Sequence, residues 1–303
     1  MATKKATSAK KTSGAKPAPT KSPTTTKITT IKADAKSSNG ASVTGAAKSG
    51  KGLPDNLIPI VFVEMLGTFA LTLVAVLTLS SFAPLFLGLA LIALFMAVGA
   101  VSGGHLNPAV TFGLWASRRI IIMQAVFYWI AQFIGAMAAV VALNWISNGA
   151  FGVTYDSFTT LSLPVMAAEL IGAAVFMYGF MAARNYVKAS TISKAVGVGL
   201  SFMLGLLVAS SLLTAAQSAV DQSKIDSVEK VPHELRVKSP ILNPAVSLAA
   251  TENTNTQLQG GSATREEKKQ SRFTLEVILG SFIGAAIGAN LYLLSTYRER
   301  TRR

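Results

Sequence analysis

The chain contains the phrase Leu-Asn-Pro-Ala-Val twice, at 106–110 and at 242–246, each time within a long apolar surrounding. Asparagine is favoured as the residue that caps a helix and proline as the first residue inside it, so each copy predicts a helix start. The first of these helices can extend only to about Ser117, because two arginines follow. It would be about 15 Å long, roughly half the hydrocarbon thickness of a bilayer. Since a half-length helix is tolerated in a membrane only where protein or a water-filled cavity satisfies its ends, the repeated phrase indicates a pore.

Two glutamates inside apolar segments are the other candidates for chemistry. Glu64 begins Glu-Met-Leu-Gly and Glu169 begins Glu-Leu-Ile-Gly, so the same pattern occurs in each half of the chain. A carboxylate within a membrane span is by default a functional candidate, for example as a proton carrier. The interpretation that we favour is structural: each glutamate accepts backbone N–H bonds from the loop in its own half.

The composition is that of a polytopic membrane protein. Half of the 303 residues are hydrophobic, only 14% are charged, and the mean hydropathy is +0.46. A soluble chain carries about 25% charged residues. Asp, Glu, Lys and Arg are absent from four long segments: 65–117, 120–155, 195–220 and 277–297. We therefore expect an integral membrane protein that crosses the bilayer several times.

The apolar runs predict six membrane-spanning helices and two half-helices. The spans are expected at 57–80, 84–101, 121–146, 163–183, 195–216 and 273–297. The half-helices are expected at 107–117 and 243–250, with the polar stretches 217–238 and 251–272 on either side of the second. The predicted fold class is therefore an all-α membrane bundle of six transmembrane helices plus two half-helices.

The two halves of the chain form an inverted repeat. Repeat one covers about 57–146 and repeat two about 163–297, and each has three full spans. Because three is odd, the second copy enters the membrane upside down relative to the first. Such repeats bring their broken elements together near the midplane, so we expect Asn107 and Asn243 to meet tip to tip.

Positive charge in the short connections predicts the orientation. The 1–52 tail, the two arginines after the first half-helix, the basic link 184–194 and the basic segment 298–303 all fall on one side of a six-span path, so both termini are expected to be cytoplasmic. Residues 1–51 contain eleven lysines and a single acidic residue, Asp34. We expect this segment to be a disordered tail that contacts anionic lipid, since a nucleic-acid-binding arm is the less favoured interpretation. The remaining residues, 53–297, would form the channel domain.

These motifs resemble the aquaporin, or major intrinsic protein, family. The resemblance rests on Ser-Gly-Gly-His-Leu-Asn-Pro-Ala-Val-Thr at 102–111, the second Asn-Pro-Ala, the paired Glu-x-x-Gly and Ala-Gln-Phe-Ile-Gly-Ala at 131–136. It implies a homotetramer with one pore per subunit that passes water or small uncharged solutes passively. The pore motifs would be Asn107, Pro108, Ala109, Asn243, Pro244 and Ala245. There the asparagine amides would offer N–H donors, and the positive helix ends would repel cations. For a single motif, the alternative is that the asparagine only caps its own helix.

The selectivity constriction departs from the pattern of that family. In the family an arginine follows the second Asn-Pro-Ala, whereas here that position is Val246. Alignment places Leu87, Leu206 and Pro240 at the other constriction positions, so all four are apolar. Such a constriction favours less hydrated solutes such as ammonia, dissolved gases or small polyols, or it dewets and closes.

The two motif loops have four expected anchors. Beside Glu64 and Glu169, the resemblance assigns a structural role to Gln132 in the third span, and His105 is expected to pack the loop rather than to gate the pore. No constellation typical of an enzyme is found. With no cysteine and two histidines, the chain offers little for a metal centre, and no cofactor is expected. Two other functions remain open: a proton-coupled secondary transporter, and a membrane adhesion or scaffold protein with a closed pore.

Overall fold

The computed structural model describes residues 53–78, 82–221, 223, 225–262, 264, 267 and 269–297. The predictions for the 1–52 tail and for the basic segment 298–303 lie outside these residues. Within the described part, helices dominate and only two short strands occur.

Six long apolar helices are present where the sequence predicts spans. They are α1 (Leu57–Leu77) and α2 (Ala83–Ser102), then, after the short α3 (Pro108–Ala116), α4 (Ile122–Ile146), α5 (Leu163–Asn185), α6 (Thr191–Ser218) and, at the end of the chain, α9 (Leu275–Ser295). Each of the six is at least 20 residues long with a mean hydropathy of at least 1.7, enough to cross a membrane. The prediction of a multi-pass membrane protein is confirmed. Helix α6 begins four residues before the predicted start at 195 because Ser190 caps it, accepting a hydrogen bond from the Ser193 N–H (3.1 Å).

The first half-helix agrees with the sequence. Helix α3 has nine residues and begins directly after Asn107. It ends at Ala116, and after the capping residue Ser117 the chain continues with Arg118 in the left-handed conformation, with φ of 58°. A residue in that conformation cannot continue a right-handed helix, so α3 stops at half the membrane thickness.

The second half-helix is shorter than predicted. In place of a helix over 243–250, the structure has a three-residue 3-10 helix, Val246–Leu248. The chain then leaves the helical conformation, and Thr251 forms an antiparallel bridge with Ser271. The predicted helix was therefore too long at both ends, because the observed one begins only at Val246 and ends at Leu248. Beyond it, pairing with a distant segment takes up the chain, which the local sequence does not encode.

The two polar stretches fold next to the second motif. Strand β1 (Val153–Thr154) pairs in parallel with β2 (Lys269–Gln270), two residues each. The stretches also contain a 3-10 helix at Val228–Lys230, α7 (His233–Arg236) and α8 (Asn255–Leu258). The Ser271 hydroxyl donates to the Ser247 carbonyl (2.9 Å), which joins the later stretch to the turn after Asn243. The described residues of these two stretches thus contact the segment that follows Asn243.

The helices pack in pairs that repeat between the two halves. Helix α1 packs on α4, α5 packs on α9, and α2 of the first half packs on α6 of the second. Three glycines of α9 lie along the face that contacts α5: Gly280, Gly284 and Gly288. A Cβ atom at Gly280 would come within 2.7 Å of the Met166 carbonyl oxygen. Glycine is therefore needed for this close approach of the two backbones.

Apolar side chains fill the interior between α2, α5, α6 and the two motif loops. We call this set the central cluster, and its members include Leu87, Leu91, Phe95, Phe176, Phe180, Val198, Phe202, Leu206 and Val246. Its aromatic rings are in contact: Phe176 lies 4.7 Å from Phe202 and 6.0 Å from Phe180, between ring centroids. The cluster joins the two repeats beside the Asn-Pro-Ala motifs.

Candidate functional site

The two Asn-Pro-Ala motifs meet inside the protein. The Asn107 amide nitrogen donates to the Leu242 carbonyl oxygen (2.8 Å), and the Asn243 amide nitrogen donates to the Leu106 carbonyl oxygen (2.9 Å). The two asparagines are 2% and 0% exposed, respectively. Each repeat therefore binds the backbone of the other through the same side chain, which is the tip-to-tip arrangement expected of an inverted repeat.

The remaining bonds of the two asparagines fix the orientation of their amides. The Asn107 Oδ1 accepts from the Ala109 N–H (2.8 Å), and the Asn243 Oδ1 accepts from the Ala245 N–H (3.1 Å). Each amide oxygen therefore caps its own helix or turn. An amide nitrogen carries two N–H groups, and only one is used by the leucine carbonyl of the other repeat. The second N–H of each asparagine amide has no hydrogen-bond acceptor among the residues that the structure describes.

The leucine before each asparagine has an unusual backbone conformation. Leu106 and Leu242 have φ of 49° and 55°, in the left-handed region. For a non-glycine residue this conformation costs about 1–2 kcal/mol, so other contacts must hold it. The glycine of each Glu-x-x-Gly provides space for the leucine side chain. A Cβ atom at Gly172 would lie 2.9 Å from a Leu242 methyl carbon, and one at Gly67 would overlap the Leu106 side chain.

Glu64 holds the first motif loop with four hydrogen bonds. Its Oε1 accepts from the Ser102 hydroxyl (2.6 Å) and the His105 N–H (2.9 Å). Its Oε2 accepts from the Leu106 N–H (2.7 Å) and the Gln132 side-chain amide (2.9 Å). The carboxylate is fully buried, and each oxygen has two donors. This is the geometry of a group that fixes a loop.

Glu169 holds the second motif loop in the same way but with different neighbours. Its two oxygens accept from the N–H groups of Ile241 (2.9 Å) and Leu242 (2.8 Å). In place of serine and glutamine partners, the Arg272 Nη2 lies 3.8 Å from Oε1. That separation is too long for a hydrogen bond, so the attraction is electrostatic.

Arg272 belongs to a buried charged cluster that the sequence did not reveal. It is 1% exposed, and its Nη1 donates to the Glu276 Oε1 (2.7 Å), which also contacts the His233 Nε2 (2.8 Å). His233 lies in α7, so the cluster ties a polar stretch to the start of α9. The only sequence signal was a pair of opposite charges four residues apart, where the sixth span begins. Among the residues that the structure describes, no group of three or more His, Cys, Asp or Glu side chains is placed to hold a metal ion.

His105 is packed from both sides in the first motif loop. Its ring stacks on Tyr128 with centroids 4.2 Å apart, and its Nδ1 lies 3.1 Å from the Thr111 hydroxyl. Its Nε2 lies 3.2 Å from the Arg184 Nη1. Because arginine can only donate, Nε2 must accept and the ring is neutral, with its proton on Nδ1. In the sequence, Arg184 belongs to the basic link 184–194, and nothing there predicts its contact with His105.

The four candidate constriction residues are all buried. Leu87, Leu206 and Val246 are 6%, 1% and 4% exposed and belong to the central cluster. Pro240 is also buried. No charged side chain is therefore available at position 246, and the structure brings three of the four residues into one apolar set.

Comparisons with known proteins place most of this region in one family. A family model described as "Major intrinsic protein" matches residues 57–219. Aquaporin TIP2-1 of Arabidopsis thaliana is 36% identical over 127 residues, which are 41% of this chain and 49% of that protein. Aquaporin-5 of Rattus norvegicus is 36% identical over 126 residues, 40% of this chain and 48% of that protein. The chain spans about half the length of these curated relatives.

A solved structure is similar as well. It is described as the X-ray structure of the aquaglyceroporin from Plasmodium falciparum, with 18% sequence identity and a TM-score of 0.47. The match covers 79% of this chain and 95% of that chain.

Proposed function

The chain belongs to the major intrinsic protein family, and we propose that it forms a passive transmembrane channel for water or small uncharged solutes. The observation that carries this proposal is the reciprocal pair of hydrogen bonds between Asn107 and Leu242 and between Asn243 and Leu106. These bonds join two broken membrane elements at one point and leave an N–H donor on each asparagine. Members of this family are channels, so the prediction that the chain is not an enzyme is confirmed.

The junction would act on a solute through these donors. A passing oxygen accepts a hydrogen bond from one or both asparagines, while the N-terminus of α3 adds about half a positive charge. A site with donors and positive potential stabilises an oxygen acceptor and disfavours a cation. The turn after Asn243 has a three-residue 3-10 helix, so its contribution to this potential is smaller than that of the nine-residue α3.

The buried glutamates act as loop anchors in this proposal. Glu64 accepts four hydrogen bonds, and two of them hold the left-handed backbone at the first motif. A proton carrier at this position would have to give up acceptor bonds each time it bound a proton. Glu169 holds the second loop similarly. The paired anchoring therefore favours a channel over a proton-coupled transporter.

The apolar constriction would set which solutes pass. In the proposed path, Leu87, Leu206, Pro240 and Val246 surround the outer constriction. A hydrated solute must shed water there without gaining a polar partner, so weakly hydrated neutral solutes are favoured. Because three of these side chains are at most 6% exposed, a closed pore with a scaffold function is the second candidate.

Flux measurements in reconstituted vesicles test the proposal. We expect stopped-flow light scattering to give rapid flux of at least one neutral solute with a low activation energy. Flux that depends on a proton gradient would instead indicate a coupled transporter. No flux of any solute in the panel would indicate the closed scaffold.

A matched pair of variants then locates the constriction. Leu206→Ala should widen the path and raise the flux of larger neutral solutes. Leu207→Ala makes the same change on a side chain that is 46% exposed, against 1% for Leu206. Equal flux from both variants would mean that Leu206 does not line the path.

Family membership and charge also underlie the proposed assembly and orientation. We expect a homotetramer with one pore per subunit and with both termini in the cytoplasm. The lysine-rich tail would contact anionic lipid rather than the pore. Deleting residues 1–50 should therefore leave flux per channel unchanged in vesicles of neutral lipid, and a lost flux would contradict this role.

A further inference from the structure

The outer part of the proposed path has little free positive charge. Position 246 is a buried valine, and only a short turn follows the second motif. The buried Arg272 is nearby in the chain, but its Nη1 lies 2.7 Å from a Glu276 oxygen and its Nη2 lies 3.8 Å from a Glu169 oxygen. Two carboxylates thus offset its charge.

Another arginine contacts the first motif loop at the opposite end of the path. Arg184 lies in the last turn of α5, and its Nη1 is 3.2 Å from the His105 Nε2. Its guanidinium packs over Gly103, where an added Cβ would come within 2.7 Å of Nη2, and it lies 6.0 Å from the centroid of the Phe180 ring. The charge is therefore placed on the loop that leads into Asn107, at the mouth that the loop charges predict to be cytoplasmic.

The charge of Arg184 is not neutralised by a close partner. Across the described ranges of the chain, no carboxylate lies within 4.0 Å of its guanidinium, and its hydrogen-bonded neighbour is the neutral His105. At longer range, the negative charge of Glu64 stabilises the charged form of Arg184, and the positive charge of Arg119 destabilises it. Glu64 is already engaged by four donors. Within the described part of the chain, Arg184 therefore carries a positive charge that no ion pair offsets at contact distance, although Glu64 lowers the potential from longer range.

Arg184 also continues the face of α5 that borders the central cluster. Phe176, Phe180 and Arg184 are spaced by four residues, so they lie on one side of the helix. Both phenylalanines are buried members of the central cluster, together with Leu87 and Leu206. The arginine thus lies at the end of the apolar path, where a solute would leave or enter it.

We propose that Arg184 is the principal barrier to cations in this channel and excludes them at the inner mouth, before they reach the weaker positive end of α3 at Asn107. This inference depends on the proposed channel function. A fixed charge next to an apolar, low-dielectric path raises the energy of an entering cation far more than the same charge in water. Neutral solutes are unaffected by the charge itself. In this proposal the positive group lies at the inner mouth of the path, and the buried Val246 lies at the outer constriction.

The proposal is tested by replacing Arg184 with a cysteine, to which a positive or a negative group can then be attached. This cysteine is the only one in the variant, because the natural chain has none. The full chain carrying Arg184→Cys is reconstituted, and the K⁺ leak and the flux of the neutral solutes that wild type conducts are measured in the same vesicles. We expect the ratio of leak to neutral flux to rise about 10-fold or more. Adding a cationic trimethylammonium thiol reagent to both sides should return it towards wild type, whereas an anionic sulfonate reagent should not. Lys188→Cys, an exposed lysine on the same connection, is the control and should stay cation-tight.

Each outcome decides the inference. An Arg184→Cys channel that conducts neutral solutes and remains cation-tight would overturn it, and so would a leak that neither reagent reverses. If this variant carries no neutral solute, Arg184→Lys is used. Recovered neutral flux with cation exclusion would support the inference, and a second inactive channel would show that the arginine only packs. Absent neutral flux in wild type would instead refute the proposed function.

Discussion

Replacing Glu64 by glutamine tests the role of the paired glutamates most sharply. The side chains have nearly the same shape, but the amide supplies one acceptor oxygen where the carboxylate supplies two. The less costly orientation of the glutamine amide places its nitrogen beside Ser102, because the serine hydroxyl can rotate and accept a hydrogen bond from it. The His105 N–H, which now donates to Glu64 Oε1 (2.9 Å), then has no acceptor.

The expected cost follows from these bonds. Losing a hydrogen bond to a charged group costs about 1.5–3 kcal/mol, and the bonds from Leu106 and Gln132 weaken because their acceptor becomes neutral. Burying a neutral amide is less costly than burying a carboxylate, which offsets part of the loss. We therefore expect the first motif loop to be destabilised by about 2–4 kcal/mol.

Amide hydrogen exchange of the protein in lipid nanodiscs measures this local effect. Because 1.4 kcal/mol is a factor of ten, exchange of the peptide that covers 102–108 should accelerate roughly 30- to 700-fold. The peptide around the second motif should change far less. Glu229→Gln, the same substitution at an exposed site, is the control. Exchange at 102–108 within about twofold of wild type would refute the anchoring role.

Three further changes have defined outcomes. Gly67→Ala should lower the free energy of unfolding by about 1–3 kcal/mol, measured by thermal unfolding, because the new Cβ overlaps the Leu106 side chain. Gly152→Ala is the control and should be neutral, because a Cβ at that position meets no atom within 4 Å. Arg272→Met should cost about 3–5 kcal/mol, because it leaves buried carboxylates unpaired, and a loss below 1 kcal/mol would contradict the charged cluster. Burial raises the pKa of Glu252 above its usual value of 4.5, so the folded state holds its proton at a pH where the unfolded chain has lost it. The contribution of Glu252 to the stability of the wild-type protein therefore falls as pH rises above 4.5. Glutamine does not titrate, so the melting temperature of Glu252→Gln minus that of wild type should increase over the same pH range. A melting-temperature difference that does not change with pH would refute this.

Much of the fold could be predicted because its signals are local or repeated. Charge-free apolar runs mark the six spans, and the asparagine–proline pair marks the start of α3 at Pro108. The meeting of the two motifs also follows from the sequence, since an odd number of spans per repeat inverts the second copy. The Glu-x-x-Gly pattern predicted backbone partners for both glutamates. It did not reveal that its glycine makes room for the leucine before the asparagine.

The features that sequence analysis missed depend on contacts between distant segments. Arg184 and His105 are 79 positions apart, and nothing local distinguishes this arginine from other cations in a basic connection. The early end of the second half-helix depends on the pairing of Thr251 with Ser271. Likewise, Arg272 is a buried partner of Glu169, although its place at a span boundary is typical of a solvated charge.

Single-particle cryo-electron microscopy of the full chain in lipid nanodiscs tests the central claim most directly. We expect the two asparagine side chains to cross between the repeats, with Asn107 Nδ2 at 2.8 Å from Leu242 O and Asn243 Nδ2 at 2.9 Å from Leu106 O. Both contacts should lie near the middle of the bilayer, beside a path for solute. A map that separates the two motifs, or that places both near one surface of the membrane, would contradict the account.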